Sequence, residues 1–94
     1  MRSPLLWSAD AEADLDEITD YIARDNVLAA VQMREEIEHR LEILTSHPEG
    51  WRRGRLPGSR EMVLAGTPFI GIYQVGDGQA TILRVLHGAR RWPP

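Results

Sequence analysis

The chain contains no cysteine and no lysine. Without cysteine there is no disulfide, no thiol nucleophile and no thiolate metal site, a composition that suits a reducing cytoplasm. Without lysine there is no amine to tune as a general base or to form a Schiff base. All eleven basic residues are arginine, which stays protonated. No apolar stretch approaches the length of a membrane span, so no membrane partner is expected. The opening MRSPLLWSADAEAD turns acidic too early for a signal-peptide core. Seven glycines from Gly54 to Gly88 never form a phosphate-cradling loop ahead of a helix, so there is no nucleotide signature. His39, His47 and His87 lack metal-ligand spacing, and neither a metal nor a cofactor is expected.

What is present describes one domain over residues 1–94, in a chain of 94 residues that is 43% hydrophobic and 27% charged. A net charge of −3 argues by itself against a nucleic-acid binder, but the charges are unevenly spread. Residues 1–50 carry twelve acids and four arginines; residues 51–94 carry two acids, Glu61 and Asp77, against seven arginines. Such asymmetry points the C-terminal half toward something anionic.

Leu5 to Trp7 read as a short strand after Pro4. Ser8 is a credible helix N-cap, with Asp10 and Glu12 favouring the dipole in the first turn. Ala11, Leu15, Ile18 and Ile22 then mark one helix face, and the acids between them read as a solvated face. Asp25 and Asn26 break the pattern and cap a second helix, whose seam is Ala30, Met33, Ile37, Leu41 and Leu44. Arg34–Glu38 and Glu36–Arg40 lie one turn apart on its polar side. His47, before Pro48, is positioned to cap its C-terminus. From Gly50 the character switches. WRRGRLPGSR is a basic loop, followed by strand-like runs at Glu61 to Leu64, Phe69 to Val75 and Ala80 to Leu86. The short links between those runs predict hairpins. The expected fold is therefore α+β, with order β-α-α-β-β-β and a helix hairpin packed on an antiparallel sheet.

Arginine forks suit phosphates and carboxylates, and Trp51 and Trp92 border the two arginine clusters. Arg60 and Arg84 on nearby strands make a single basic surface plausible; pairing with the acid-rich helices is the other outcome. Val27, Leu28, Ala29 and Val31 widen the apolar arc of the second helix, which marks a partner site.

These residues resemble the RelE/ParE superfamily of toxins from type II toxin–antitoxin modules. The resemblance rests on W-S-x-x-A-x-x-D-L-x-x-I-x-x-Y-I (Trp7 to Ile22), His47-Pro48 before the basic loop, and GSRE (Gly58 to Glu61). PFIGIYQV (Pro68 to Val75) and ILRVLHGARRWP (Ile82 to Pro93) complete it. It implies a cytoplasmic toxin in a hetero-oligomeric complex with a ParD-like antitoxin. The superfamily holds two activities, cleavage of mRNA on the ribosome and poisoning of DNA gyrase. Its ribonuclease branch uses loop lysines, an arginine in the strand written here PFIGIYQV, and a tyrosine or histidine near the C-terminus. Here lysine is absent, Ile70 stands at the strand position, and only WPP follows GARR. The ParE-like, gyrase-inhibiting branch is therefore the expectation, with no catalytic residues. Arg60, Arg84, Arg90, Arg91 and Trp92 would face the target, and Leu15, Ile18, Ile22, Val27, Leu28 and Val31 the antitoxin. The alternative is a ribosome-dependent mRNA endonuclease working through Arg60, Arg90 and His87; a toxin that only binds its antitoxin is a third possibility.

Overall fold

A computed structural model describes residues 4–93. The elements in chain order are β1 (Leu6–Trp7), α1 (Ala9–Ala23), α2 (Val27–Leu41), a 3-10 turn (Glu42–Thr45), β2 (Arg52–Arg53), β3 (Ser59–Val63), β4 (Phe69–Gly76) and β5 (Gln79–His87). They form an α+β domain with the helix hairpin on one face of the sheet. The Ser8 hydroxyl accepts from Ala11 N–H (3.0 Å) and donates to Leu83 C=O (2.9 Å), so one side chain starts α1 and ties it to β5. Asn26 caps α2 through Ala29 N–H (3.0 Å). Both one-turn ion pairs of α2 form. Its end is closed by backbone, not by the His47 ring: Glu42 N–H donates to Glu38 C=O and His39 C=O, and His47 N–H closes the following 3-10 turn on Ile43 C=O (2.9 Å), while the ring lies beside the Ser46 hydroxyl.

The sheet is mixed and has five strands, in the order β1-β5-β4-β3-β2. The expected antiparallel sheet is corrected at one pairing and extended by one strand. Strand β1 runs parallel to β5, through Leu6↔Thr81 and Trp7↔Ile82, because the helix hairpin carries the chain across the sheet before the meander begins. The basic loop also yields β2, paired with β3 through Arg52↔Glu61 and Arg53↔Arg60. The meander follows expectation, and its last turn is an Asp77-Gly78 pair with both residues at positive φ (53° and 73°), the two-residue hairpin geometry that asparagine, aspartate and glycine favour.

Pleating sends alternate residues of β4 to opposite sides. Tyr73 faces the helices and joins Ala11, Leu15, Ile37, Leu41, Leu44, Met62, Leu64, Ile82 and Val85 in the main core. Gly71 permits that packing: a Cβ there would lie 2.8 Å from Leu41 Cδ2. On the helix-free side Ile70, Ile72 and Leu86 form a second cluster, covered by Leu83 and Trp92. A β-bulge occurs where Ile72 pairs with Arg84 and Tyr73 with Ile82, leaving Leu83 unpaired. Bulges re-aim side chains, and this one sets the direction of Arg84.

Candidate functional site: the arginine tail and the hairpin groove

Strand β1 covers only the first part of β5, so the rest of that strand is an edge whose amides have no strand partner on that side. Asp14 of α1 closes it. Its Oδ2 accepts from Val85 N–H (2.9 Å) and from Arg84 Nε (2.7 Å), and its Oδ1 accepts from Arg84 Nη2 (2.9 Å). The bidentate pair is largely buried and holds the guanidinium more firmly protonated than usual, chiefly through its hydrogen bonds to the Asp14 carboxylate. The other side of the Arg84 guanidinium lies 4.7 Å from the Trp92 ring centroid. Trp92 in turn packs on the second apolar cluster. The chain end through Pro93 is thus folded down on the sheet, and Arg84 serves as internal structure. The single basic surface expected from the sequence does not form, because Arg60 and Arg84 sit on opposite faces. Arg60 pairs in register with the core-facing Tyr73, whereas Arg84 pairs with the outward Ile72.

Glu61 is the second buried acid, only 3% exposed. Its Oε2 accepts from Arg55 N–H (2.9 Å) and lies 3.3 Å from Arg55 Nε; its Oε1 lies 3.5 Å from Arg52 Nη2. Arg55 Nη1 then donates to Trp92 C=O (2.9 Å). Arg60 Nη1 donates to Trp51 C=O (2.7 Å), with Glu49 C=O at 3.5 Å. Beside it the Tyr73 phenol is enclosed without a hydrogen bond of good geometry. Burial pushes that phenol above its ordinary value, opposed by the neighbouring Arg60 charge. Among the described residues no carboxylate pairs with Arg53, Arg90 or Arg91, and all three are exposed.

A groove of ≈ 760 Å³ runs between α1 and the end of β5. Ile18, Ile22, Phe69 and Val85 give it apolar walls; Asp16, Glu17 and Asp20 line the α1 side, and His87 and Arg90 the other. The His87 ring meets Phe69 edge to face, and its Nδ1 accepts from Ala89 N–H (3.1 Å). Arg60 instead lines a separate cup with Arg53 and Gly58. The trio Arg60, Arg90 and His87 is therefore not assembled in one place.

Of the six hairpin residues expected to meet an antitoxin, Leu15 is corrected: it is 3% exposed, within the core, because it faces the sheet. Ile18 and Ile22 are half-buried in the groove. Val27, Leu28 and Val31 are exposed at 67%, 66% and 45%, and Tyr21, not foreseen, at 70%. Two structural acids were also missed. Asp14 had a signal, since it lies three residues after Ala11 and four before Ile18, on the apolar stripe; Glu61 had none beyond being one of two acids in a basic half.

No helix among the described residues is long and apolar enough to cross a membrane. Two relatives resemble the chain along nearly its whole length. The Sinorhizobium fredii protein Y4kP is 35% identical over 98% of this chain and 95% of its own. The toxin RelE2 of Caulobacter vibrioides is 38% identical over 92% of this chain and 96% of its own. A solved chain of the chromosomal ParDE toxin–antitoxin system from P. aeruginosa superposes with a TM-score of 0.81 at 28% identity, over 92% of this chain and 96% of that one. The Mycobacterium tuberculosis RelBE2 toxin–antitoxin complex shares the fold, with a TM-score of 0.62 at 22% identity over 93% and 99% of the two chains. Residues 5–92 match the ParE toxin of type II toxin–antitoxin systems, parDE, and the chain belongs to that family within the RelE/ParE superfamily of toxins.

Proposed function

We propose that this toxin arrests growth in the cytoplasm by binding DNA gyrase and holding it in a non-productive state with DNA. A ParD-like antitoxin neutralises it in a hetero-oligomeric complex. The observation that carries the reading is the chemistry of the helix-free face. RNA cleavage by 2′-hydroxyl attack needs a base for that proton beside a cation for the phosphorane. Here the floor is Ile70, Ile72 and Leu86 under Trp92, and the one acid on it among the described residues, Glu61, is buried and held by Arg52 and Arg55. Arg90 and Arg91 remain free cations at the rim, suited to gripping an anionic surface, with Trp92 fixing their base. Arg84 supports that rim by covering the Trp92 ring, whereas Arg60, bonded to Trp51 C=O on the other face, lies apart from it. Induction of the toxin in growing cells should depress DNA synthesis before protein synthesis. A primary translation block with cuts inside codons would replace this reading by the endonuclease one, and unimpaired growth would make the chain an antitoxin binder alone.

For the antitoxin, the proposed contact is the groove and hairpin surface of Ile18, Ile22, Val27, Leu28 and Val31, extended by Tyr21. An exposed apolar strip beside acidic α1 and the arginine rim suits an amphipathic segment with charges of both signs at its margins. Val31→Asp would bury a carboxylate without a partner, so the Kd should rise by about ten-fold or more. Calorimetry checks this, and unchanged affinity would place the contact elsewhere.

A further inference from the structure

We propose that Glu61 is a positioning residue for the arginine tail: acting through Arg55, it straps residues 88–93 to the helix-free face and so sets how Arg90 and Arg91 leave the body. The tail's role toward a target rests on the proposed function; the strap itself does not.

The geometry places one guanidinium between two anchors. Arg55 Nε faces the buried Glu61 carboxylate at 3.3 Å, while its Nη1 donates to Trp92 C=O at 2.9 Å. Glu61 also accepts from the Arg55 backbone, which fixes where that side chain starts. The loop is packed closely on this acid: a Cβ at Gly54 would collide with Ser59 Oγ and lie 3.2 Å from Glu61 Cγ. From the opposite side Arg84, held by Asp14, covers the Trp92 ring. Trp92 is therefore gripped by its backbone from the β3 side and by its ring from the β5 side. A buried acid is a poor route to stability when an apolar residue could fill the same space. Retaining one under a surface loop makes physical sense when its charge orients a cation that must reach further. Arg52 reaches the same carboxylate, and among the described residues no hydrogen bond or ion pair joins its side chain to the tail, so it separates the strap from general support of the loop.

The test uses the full chain with 5-fluorotryptophan at its three tryptophans, the Trp92 fluorine signal being assigned by its loss in Trp92→Phe. Glu61→Gln keeps the size and an acceptor for Arg55 N–H but removes the charge. The expected result is movement of the Trp92 signal toward that of the free amino acid, with the Trp7 signal unmoved. Trypsin cleavage after Arg91 should become about ten-fold faster, as expected for a segment whose docked state is lost. Arg55→Ala should do the same, Arg55→Lys should restore part of the docking, and Arg52→Ala should leave the tail in place. If Glu61→Gln also displaces the Trp7 signal, Arg55→Ala decides, since it removes the link without touching the core. An unmoved Trp92 signal in Arg55→Ala overturns the strap, as does equal release by Arg52→Ala. Growth arrest by Glu61→Gln as strong as by the parent chain, with its tail free, overturns the positioning role. Failure of the toxin to act on gyrase would remove the proposed target and leave these spectra unchanged.

Discussion

Replacing Asp14 with alanine is expected to lower stability by about 3 kcal/mol, the scale for removing one partner of a buried ion pair. The loss combines two parts. Arg84 keeps its charge, covered by Trp92 and deprived of its counter-ion, and Val85 N–H loses its acceptor at an edge that β1 does not reach. For a domain whose whole margin is on the order of 5–15 kcal/mol, that is a large fraction. Urea unfolding should show a lower midpoint at unchanged m-value. Asp16, two residues away on the same helix, is the control: its carboxylate also meets an arginine at 3.0 Å, but it is 67% exposed, so Asp16→Ala should change stability by no more than about 0.5 kcal/mol. Equal effects of the two substitutions would mean that Asp14 is one more solvated acid.

Leu41→Ala is expected to cost about 4 kcal/mol, toward the upper part of the range for truncating a buried leucine. Its side chain is fully buried, and one methyl lies where the middle strand has no side chain, over Gly71. The cavity therefore opens against backbone, which cannot relax into it as a neighbouring side chain could. The reverse change, Gly71→Ala, should cost about 1–3 kcal/mol by forcing Leu41 aside. Combined, the two substitutions should cost less than their sum, because the new methyl occupies part of the vacated space. Strict additivity in thermal or urea unfolding would show that the helix hairpin and β4 do not meet through this contact.

The helices and the meander were legible in the sequence because periodicity reports which face is dry. Ala11 and Leu15 on α1, and Ile37 and Leu41 on α2, are each one helical turn apart and buried, and the Ser8 and Asn26 caps stand where the pattern starts. Strand β2 was not legible: two consecutive arginines carry no alternation, and they are extended only because β3 offers them partners. Nor was the parallel pairing of β1, since two residues cannot declare a direction. At the candidate site the count of arginines was legible and their employment was not. Guanidinium groups that look alike in sequence divide here into those held by carboxylates or carbonyls of the fold, Arg52, Arg55, Arg60 and Arg84, and those left without such a partner at its rim, Arg53, Arg90 and Arg91. The division depends on buried acids and free carbonyls brought close by topology: Asp14 and Arg84 are separated by 70 positions. Leu15 shows the same limit in reverse. A helix face that is apolar along its length supplies both the core and the surface strip, and only the sheet beneath decides which residue belongs to which.

The most direct measurement is plasmid supercoiling by purified gyrase in the presence of the purified toxin. The expected result is loss of supercoiling with accumulation of cleaved plasmid, relieved by the antitoxin and weakened when Arg90 and Arg91 are both replaced by alanine. Unimpaired supercoiling without cleaved DNA, together with codon-internal scission of ribosome-bound message that disappears on changing His87, would contradict it.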